Sequence, residues 1–213
     1  MKKLNLLSYA HLTAWHIAQI GIKAGFNFAN VTKASSINNR SSSGFHAGIF
    51  IAPSSKKIIG SRTELIFSQQ GYNYKTNTNT GKINLDYIML PQFMTINITK
   101  YFQIQLGGQM AYLLNAKVDS SNNKDNVNGN KTLALYNRFD YGYGGGIEVH
   151  PVSGLLIGAR VNISPGNLLP DSSSYSGGSP SFIPKVNIKN NVLQIFVGWR
   201  FGKKPSSAKK KEQ

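Results

Sequence analysis

The stretch Tyr101-Phe-Gln-Ile-Gln-Leu-Gly-Gly-Gln-Met-Ala-Tyr-Leu-Leu-Asn115 decides how this chain is read. Phe102, Ile104, Leu106, Met110, Tyr112 and Leu114 fall on one side, and Gln103, Gln105, Gly107, Gln109, Ala111 and Asn115 on the other. A period of two means an extended strand with two unlike faces. Strands of ordinary globular sheets have about 5–6 residues. This alternation lasts for about 13, more than the ~9–11 that a tilted strand needs to cross a hydrocarbon layer. Its apolar face has aromatics near both ends, where a membrane strand places them at the interfaces. The stretch therefore reads as one stave of a membrane barrel.

Composition agrees. Charged residues make up 15% of the 213, against about 25% in ordinary soluble domains. No window approaches the ~18 continuous apolar residues of a spanning helix. The remaining classes are a closed barrel, the only sheet that crosses lipid with its backbone satisfied, and a soluble β protein. The chain has no cysteine, which excludes disulfides, thiolate nucleophiles and cysteine-bound metals. A formal charge of +16 raises nucleic acid as a partner. However, much of the excess sits in Lys203, Lys204, Lys209, Lys210 and Lys211 or is scattered through loops. No basic helical stripe or RNA-binding motif accompanies it, so no nucleic-acid partner is expected.

The same template finds seven further strands. Strand one, Ile20 to Val31, alternates Ile20, Ile22, Ala24, Phe26 and Phe28 with Gly21, Lys23, Gly25 and Asn27. Strand two, Gly44 to Ala52, sets Phe45, Ala47, Ile49 and Ile51 against His46, Gly48 and Phe50. Strand three, Ile58 to about Tyr74, opposes Ile59, Thr63, Leu65 and Phe67 to Arg62, Glu64, Ser68 and Gln70. Strand four runs from about Lys82 to Ile98, and its Pro91 predicts a local break in the ladder or a bulge. The opening stretch is strand five. Strand six, about Leu135 to His150, sets Phe139, Tyr141, Tyr143, Ile147 and Val149 against Arg138, Asp140, Gly142, Gly144, Gly146 and Glu148. Strand seven is Leu155 to Ser164 and strand eight Asn191 to Phe201. The fold class is thus all-β, an eight-stranded antiparallel up-and-down transmembrane barrel. Connections after strands two, four and six are short. Those after one, five and seven are long, and three to four is a medium hairpin. This sorting is the layout of bacterial outer-membrane barrels.

Met1-Lys2-Lys3 followed by the mainly apolar Leu4 to Ile17 has the shape of a secretory signal. Residues 1–18 are expected to be a signal peptide cleaved at Ala18-Gln19, residues 19–201 the barrel, and residues 202–213 a disordered basic tail in the periplasm. The tail's lysines suit a tether to an anionic partner or surface.

With the apolar faces toward lipid, Lys23, Arg62, Glu64, Arg138, Asp140, Glu148, Arg160 and Arg200 point inward. Buried charges need partners, and both signs are present. A structural ion-pair network across a narrow lumen is expected, since eight strands leave room only for side chains or one small ligand. The inward glycines at 142, 144 and 146 either relieve crowding or leave a small cavity. His46 and His150 lack an evident Ser or Asp partner, and no phosphate loop or metal-spaced cluster occurs. No enzyme activity, cofactor or metal is expected.

Gly21-Ile-Lys-Ala-Gly-Phe-Asn27, Glu64-Leu-Ile-Phe-Ser-Gln-Gln-Gly71 and Leu85-Asp-Tyr-Ile-Met-Leu-Pro91 carry a family resemblance. So do Phe139-Asp-Tyr-Gly-Tyr-Gly-Gly-Gly146, Gly158-Ala-Arg-Val-Asn162 and Val192-Leu-Gln-Ile-Phe-Val-Gly-Trp-Arg-Phe201. Together they resemble the Bacteroidetes outer-membrane β-barrel family labelled PorT-like or "porin family". The resemblance implies an outer-membrane barrel, non-enzymatic, in a structural or accessory role. Its namesake is an accessory factor of type IX secretion. Expected partners are outer-membrane lipid and other envelope or secretion proteins, met through the long loops or the basic tail. Two alternatives stand beside this reading: a narrow small-solute channel or ligand-binding barrel, and a soluble lipocalin-like carrier.

Overall fold

A computed structural model describes residues 18–32, 40–53, 58–75, 80–120, 133, 135–169 and 189–201. The expected signal segment before Ala18 and the tail after Phe201 lie outside the described residues. Eight antiparallel strands form one closed barrel in sequence order. They are β1 (Ala18–Thr32), β2 (Arg40–Pro53), β3 (Ile59–Lys75), β4 (Thr80–Asn97), β5 (Phe102–Ser120), β6 (Phe139–Val149), β7 (Leu155–Ile163) and β8 (Lys189–Arg200). Closure comes from β1 pairing with β8, from Gly21 opposite Arg200 to Thr32 opposite Lys189.

The register sets the tilt. A walk across paired residues runs Ile20, Ile51, Thr63, Gln92, Gly108, Tyr143, Ile163, Asn191 and back to β1 at Asn30. The circuit closes ten residues beyond its start, toward the long-loop rim. Such a stagger is what tilted strands need to close a barrel.

The apolar parity of every strand faces outward. Ile22, Phe26, Ile49, Leu65, Met94, Leu106, Tyr143, Ile157, Val197 and Trp199 are all exposed. A water-soluble protein does not display so continuous an apolar girdle. In a bilayer these groups stay in an apolar solvent, and closure leaves no open sheet edge. The lipocalin-like alternative required those faces inside, and their orientation removes it.

Two expectations are corrected and one is met. First, β5 runs on to Ser120, well past Asn115. Its register against β4 shifts between Asp86–Asn115 and Tyr87–Leu113, leaving Leu114 as the extra residue of a bulge. Beyond it the inward positions change from odd to even: Leu113, Ala116 and Val118 are buried, while Asn115 is only half-buried on the outer face. Asn115 therefore does not belong to the lumen. Second, of the break or bulge expected at Pro91 the structure shows the break: the β3 ladder skips the positions opposite Leu90 and Pro91 and resumes in register. Pro91 has no N–H to give, so the break is local. Third, β6 begins at Phe139, because 135–138 cross the barrel mouth as loop.

β3, β4 and β5 have 17, 18 and 19 residues, whereas β6 and β7 have 11 and 9. The three long strands rise beyond the others at the long-loop rim, and there their faces reverse. Lys75, Lys82, Asn84, Asp86, Asn115, Lys117 and Asp119 look outward, while Tyr72, Tyr74, Ile83, Leu85, Ala116 and Val118 look inward and are buried. A segment standing in water needs polar groups outside, so the reversal marks where the lipid-facing band ends.

Candidate functional site

Among the described residues it is the lumen where the strands bring chemically active side chains together, and it is built in floors. Nearest the short-turn rim, Phe50, Ala52, Leu156 and Phe196 form a small apolar cluster. Phe50 covers Gly21 and Phe196 covers Gly158. A Cβ at Gly158 would stand 2.5 Å from the Phe196 ring, so the missing side chains make room for the rings.

Threaded through that cluster is an ionic floor. Arg62 donates to both Glu148 oxygens, at 2.5 and 2.8 Å. Arg160 forks onto Glu64 with two bonds of 2.8 Å. Lys23 Nζ reaches Glu64 Oε2 at 3.1 Å, and Arg62 Nη1 lies 3.9 Å from Glu64 Oε1. Two glutamines tie the pairs together. Gln105 accepts from Arg160 at 2.6 Å and donates to Glu148 at 2.9 Å, while Gln103 accepts from Gln105 at 3.1 Å. The side chains of Lys23, Arg62, Glu64, Glu148 and Arg160 are wholly removed from solvent.

This floor holds three buried cations and two carboxylates. Aromatic faces supply part of the remaining compensation. Lys23 Nζ lies 3.9 Å from the Phe196 centroid, Arg160 lies 3.9 Å from that of Phe93, and Arg62 lies 4.7 Å from that of Phe50. A desolvated cation over a ring gains on the order of 2 kcal/mol. Bidentate arginine–carboxylate pairs are among the stronger hydrogen bonds in proteins and have a fixed geometry, so they hold the strands at set distances.

Of the eight charged residues expected to point inward, Lys23, Arg62, Glu64, Glu148 and Arg160 meet at its centre. Arg200 touches its edge, with Nη2 3.7 Å from Glu148 Oε1. His150, not expected there, places Nε2 2.9 Å from the same oxygen. Arg138 does not take part. It is exposed before β6 begins, with its guanidinium 5.0 Å from the Tyr112 ring on the outer surface. Asp140 does not take part either. Its Oδ1 accepts the Tyr141 N–H at 2.8 Å, and it forms no ion pair among the described residues. Both stand at the long-loop end of the shortened β6, above the ionic floor. For Asp140 the parity was legible in the sequence but the height was not, whereas Arg138 precedes the strand and its expected inward orientation is corrected to the outer surface.

Above the ions lies a floor of amides. Asn27 donates to Ser68 Oγ at 2.9 Å and to the Gln69 carbonyl at 2.7 Å, and it accepts from Gln194 at 3.1 Å. Gln70 donates to Ser68 and accepts from Asn190. His46 is buried here, with Nδ1 2.8 Å from Asn27 Oδ1 and its ring edge-on to Phe196. Ser68 lies opposite it in the β2–β3 register, but among the described residues no hydrogen bond joins His46 to a carboxylate or hydroxyl in the manner of a catalytic dyad.

Highest is an apolar floor that sequence reasoning missed. Ile66, Tyr72, Tyr74, Ile83, Leu85, Tyr87, Met89, Leu113 and Val118 pack with Tyr136, Leu168 and Leu169 from the loops. The loop after β5 and the loop after β7 are joined over it by Asn137 N–H donating to Leu168 O at 3.0 Å. Tyr72 and Tyr136 share a hydrogen bond of 3.0 Å between their hydroxyls. The even-numbered apolar run Tyr72, Tyr74 and the odd-numbered Ile83, Leu85, Tyr87, Met89 were the available signals. They look like a lipid face until the outer Asn73, Asn84 and Asp86 between them are seen to be polar.

The inward glycines resolve as crowding. A Cβ at Gly146 would stand 2.9 Å from Arg160 Cα, and one at Gly142 would stand 2.5 Å from Ile163 O. Among the described residues no group of three or more His, Cys, Asp or Glu could hold a metal.

Residues 13–170 match the family model of the outer membrane protein beta-barrel domain. No curated protein matches the chain. Among solved structures it is similar to Ail, the attachment invasion locus protein of Yersinia pestis. The two share 14% identity over 87% of this chain and 99% of that one, with a TM-score of 0.50. Neisserial surface protein A shares 15% identity over 86% and 99%, at 0.48. OprG of Pseudomonas aeruginosa shares 12% over 88% and 98%, at 0.46. At these identities the likeness concerns the fold alone. With more than half of its length matched by the family model, the chain belongs to the outer membrane protein beta-barrel domain family, and its place is the bacterial outer membrane.

Proposed function

We propose that this barrel is a non-enzymatic outer-membrane protein with a filled lumen, serving a structural or accessory role in the envelope. The observation that carries the reading is the stacking of three packed floors inside the ring. Ions, amides and the apolar cluster each occupy the interior at a different height. A solute would have to break paired buried charges and then part an apolar cluster, and both steps are costly. The surfaces left for work are the long-loop end, the short-turn rim and the tail of residues 202–213. The finer form of the reading is an accessory to protein secretion, as the PorT-like resemblance implies. The signal peptide, with cleavage between Ala18 and Gln19, and the tail's role as an electrostatic tether belong to the same proposal.

Purified protein in a planar bilayer tests the main reading. Silence is expected, and regular unitary current steps from the intact protein would replace it with the channel reading. N-terminal sequencing of the membrane-embedded form checks the cleavage site. Unchanged cargo export in cells lacking the chain would remove the secretion role. Partner capture that survives deletion of Lys203 to Gln213 would remove the tether.

A further inference from the structure

Midway up the lipid-facing band the outer surface departs from its apolar rule. On β4, Gln92 stands halfway between outward Ile96 and Ile88, and on β3 Thr63 stands halfway between outward Ile59 and Phe67. The two are opposite each other in the register, and both are exposed. Among the described residues, Ser61, Thr63 and Gln92 are the polar side chains inside that band, and all three lie on this pair of strands. Thr63 donates its hydroxyl hydrogen to Gln92 Oε1. Among the described residues no acceptor faces the Gln92 Nε2 group, and at this depth no water can take the place of one. A polar side chain is costly in hydrocarbon, and it is expected to meet a partner there and not lipid.

The neighbour across the β4–β5 seam fits that expectation. Gly108 is opposite Gln92 and stands halfway between outward Ile104 and Tyr112. The inward Gly107 has no room for a side chain, since a Cβ there would run into the Gln92 carbonyl. Gly108 is different. A Cβ there would meet the Gly142 carbonyl at 3.6 Å, an ordinary contact, and nothing nearer. Packing within the chain therefore does not require this glycine. Glycine inside a strand weakens it and is used where another backbone comes close. A primary amide both donates and accepts, and Gln92 Oε1 keeps a second lone pair beside the Thr63 bond. A patch built on such a group is complementary to itself across a two-fold axis. We propose that the mid-membrane face of β4 and β5 binds a second copy of this chain. The Gln92 amides of the two copies exchange N–H···O bonds, and Gly108 lets the barrels approach closely enough for them to meet. No sheet edge is open in the closed ring, so side chains make the contact. The proposal does not depend on whether the lumen conducts.

The chain has no cysteine, so an introduced one reports alone. Full-length protein carrying Lys100→Cys at the short-turn rim is labelled with donor or acceptor dye. Both forms are refolded together into phosphatidylcholine vesicles over a range of protein-to-lipid ratios. Energy transfer should rise with the ratio as a monomer–dimer equilibrium. Gln92→Leu should weaken the dimer about tenfold, the effect of losing two hydrogen bonds of the strength usual between membrane segments. Gly108→Leu should weaken it at least as much, by holding the barrels apart. Ile195→Ala, midway along β8 on the far side of the ring, should leave it unchanged. Gln92→Leu takes a polar group out of lipid, so it should reach the compact, heat-modifiable form as the parent does. A second measurement reads position without touching Gln92 or Gly108. Oxidation should join copies through Leu90→Cys, on the outer face beside Gln92, and not through Ile195→Cys. Monomers at every ratio, undiminished association in Gln92→Leu or Gly108→Leu, equal loss on Ile195→Ala, or cross-linking no greater through Leu90→Cys than through Ile195→Cys would each overturn the proposal.

Discussion

Glu64 carries the most consequential contacts in the molecule. It accepts a forked pair of bonds from Arg160 and a third from Lys23, with Arg62 close by. Neutralising it leaves Arg160 and Lys23 buried without the anion they share, while Arg62 keeps Glu148. Glu64→Gln should destabilise the barrel by about 3–5 kcal/mol, the usual cost of breaking a buried pair from one side. Urea unfolding in lipid vesicles, followed by tryptophan fluorescence, reads that loss. Arg138→Gln removes a charge of the same expected network and should cost no more than about 0.5 kcal/mol, because its guanidinium rests on an outer tyrosine ring. Equal costs for the two variants would contradict the assignment of Arg138 to the surface. Gly146 offers a packing test at the same scale. Ala at this position drives a methyl against the Arg160 backbone, and overpacking of this kind costs about 1–3 kcal/mol. A neutral or stabilising Gly146→Ala would mean that the lumen there is roomier than described.

The bulge at Leu114 is the feature of the elements that matters most. Leu113 faces in, Leu114 and Asn115 face out, and Ala116 faces in again. Deleting Leu114 removes the extra residue yet keeps Ala116 and Val118 inside, so the barrel should still fold and migrate as a compact species on unboiled gels. Inserting one residue between Ala116 and Lys117 instead sends Val118 outward and turns charged neighbours inward, since a one-residue slip exchanges the faces of a strand. That variant should fail to reach the compact form. If deletion and insertion were equally harmful, the bulge would be setting strand length and not parity.

At the scale of the whole molecule the floors act in series. Leu168→Ser together with Leu169→Ser opens the upper cluster and should cost several kcal/mol, as large-to-small core changes of about 2–5 kcal/mol each imply. The double variant should still be silent in a bilayer, because the ions and amides below are untouched. Adding Glu148→Ala, which also frees Arg62, should produce irregular, leaky current. Conductance from the loop variant alone would mean that the upper cluster is the only barrier.

The chain's own pattern determined a good deal. Alternation over more than a membrane's thickness predicts strands that cross lipid, and eight such runs with sorted loops predict a closed ring. A side chain's face follows from parity, and parity is written in the order of residues. That is why Arg62, Glu64, Glu148 and Arg160 could be named together. Height could not be read in this way. Which inward groups share a floor depends on the ten-residue stagger of the ring, a property of all eight strands at once. The stagger brings Arg160 of β7 to Glu64 of β3 and leaves Asp140 outside the ionic floor. The reversal of faces above Asp86 depends on where the hydrocarbon ends, and the burial of Tyr72, Leu85 and Leu113 depends on loops that come back over them. Parity is local, because each residue inherits it from its neighbour. Height and cover are long-range, so only the closed tertiary structure decides them.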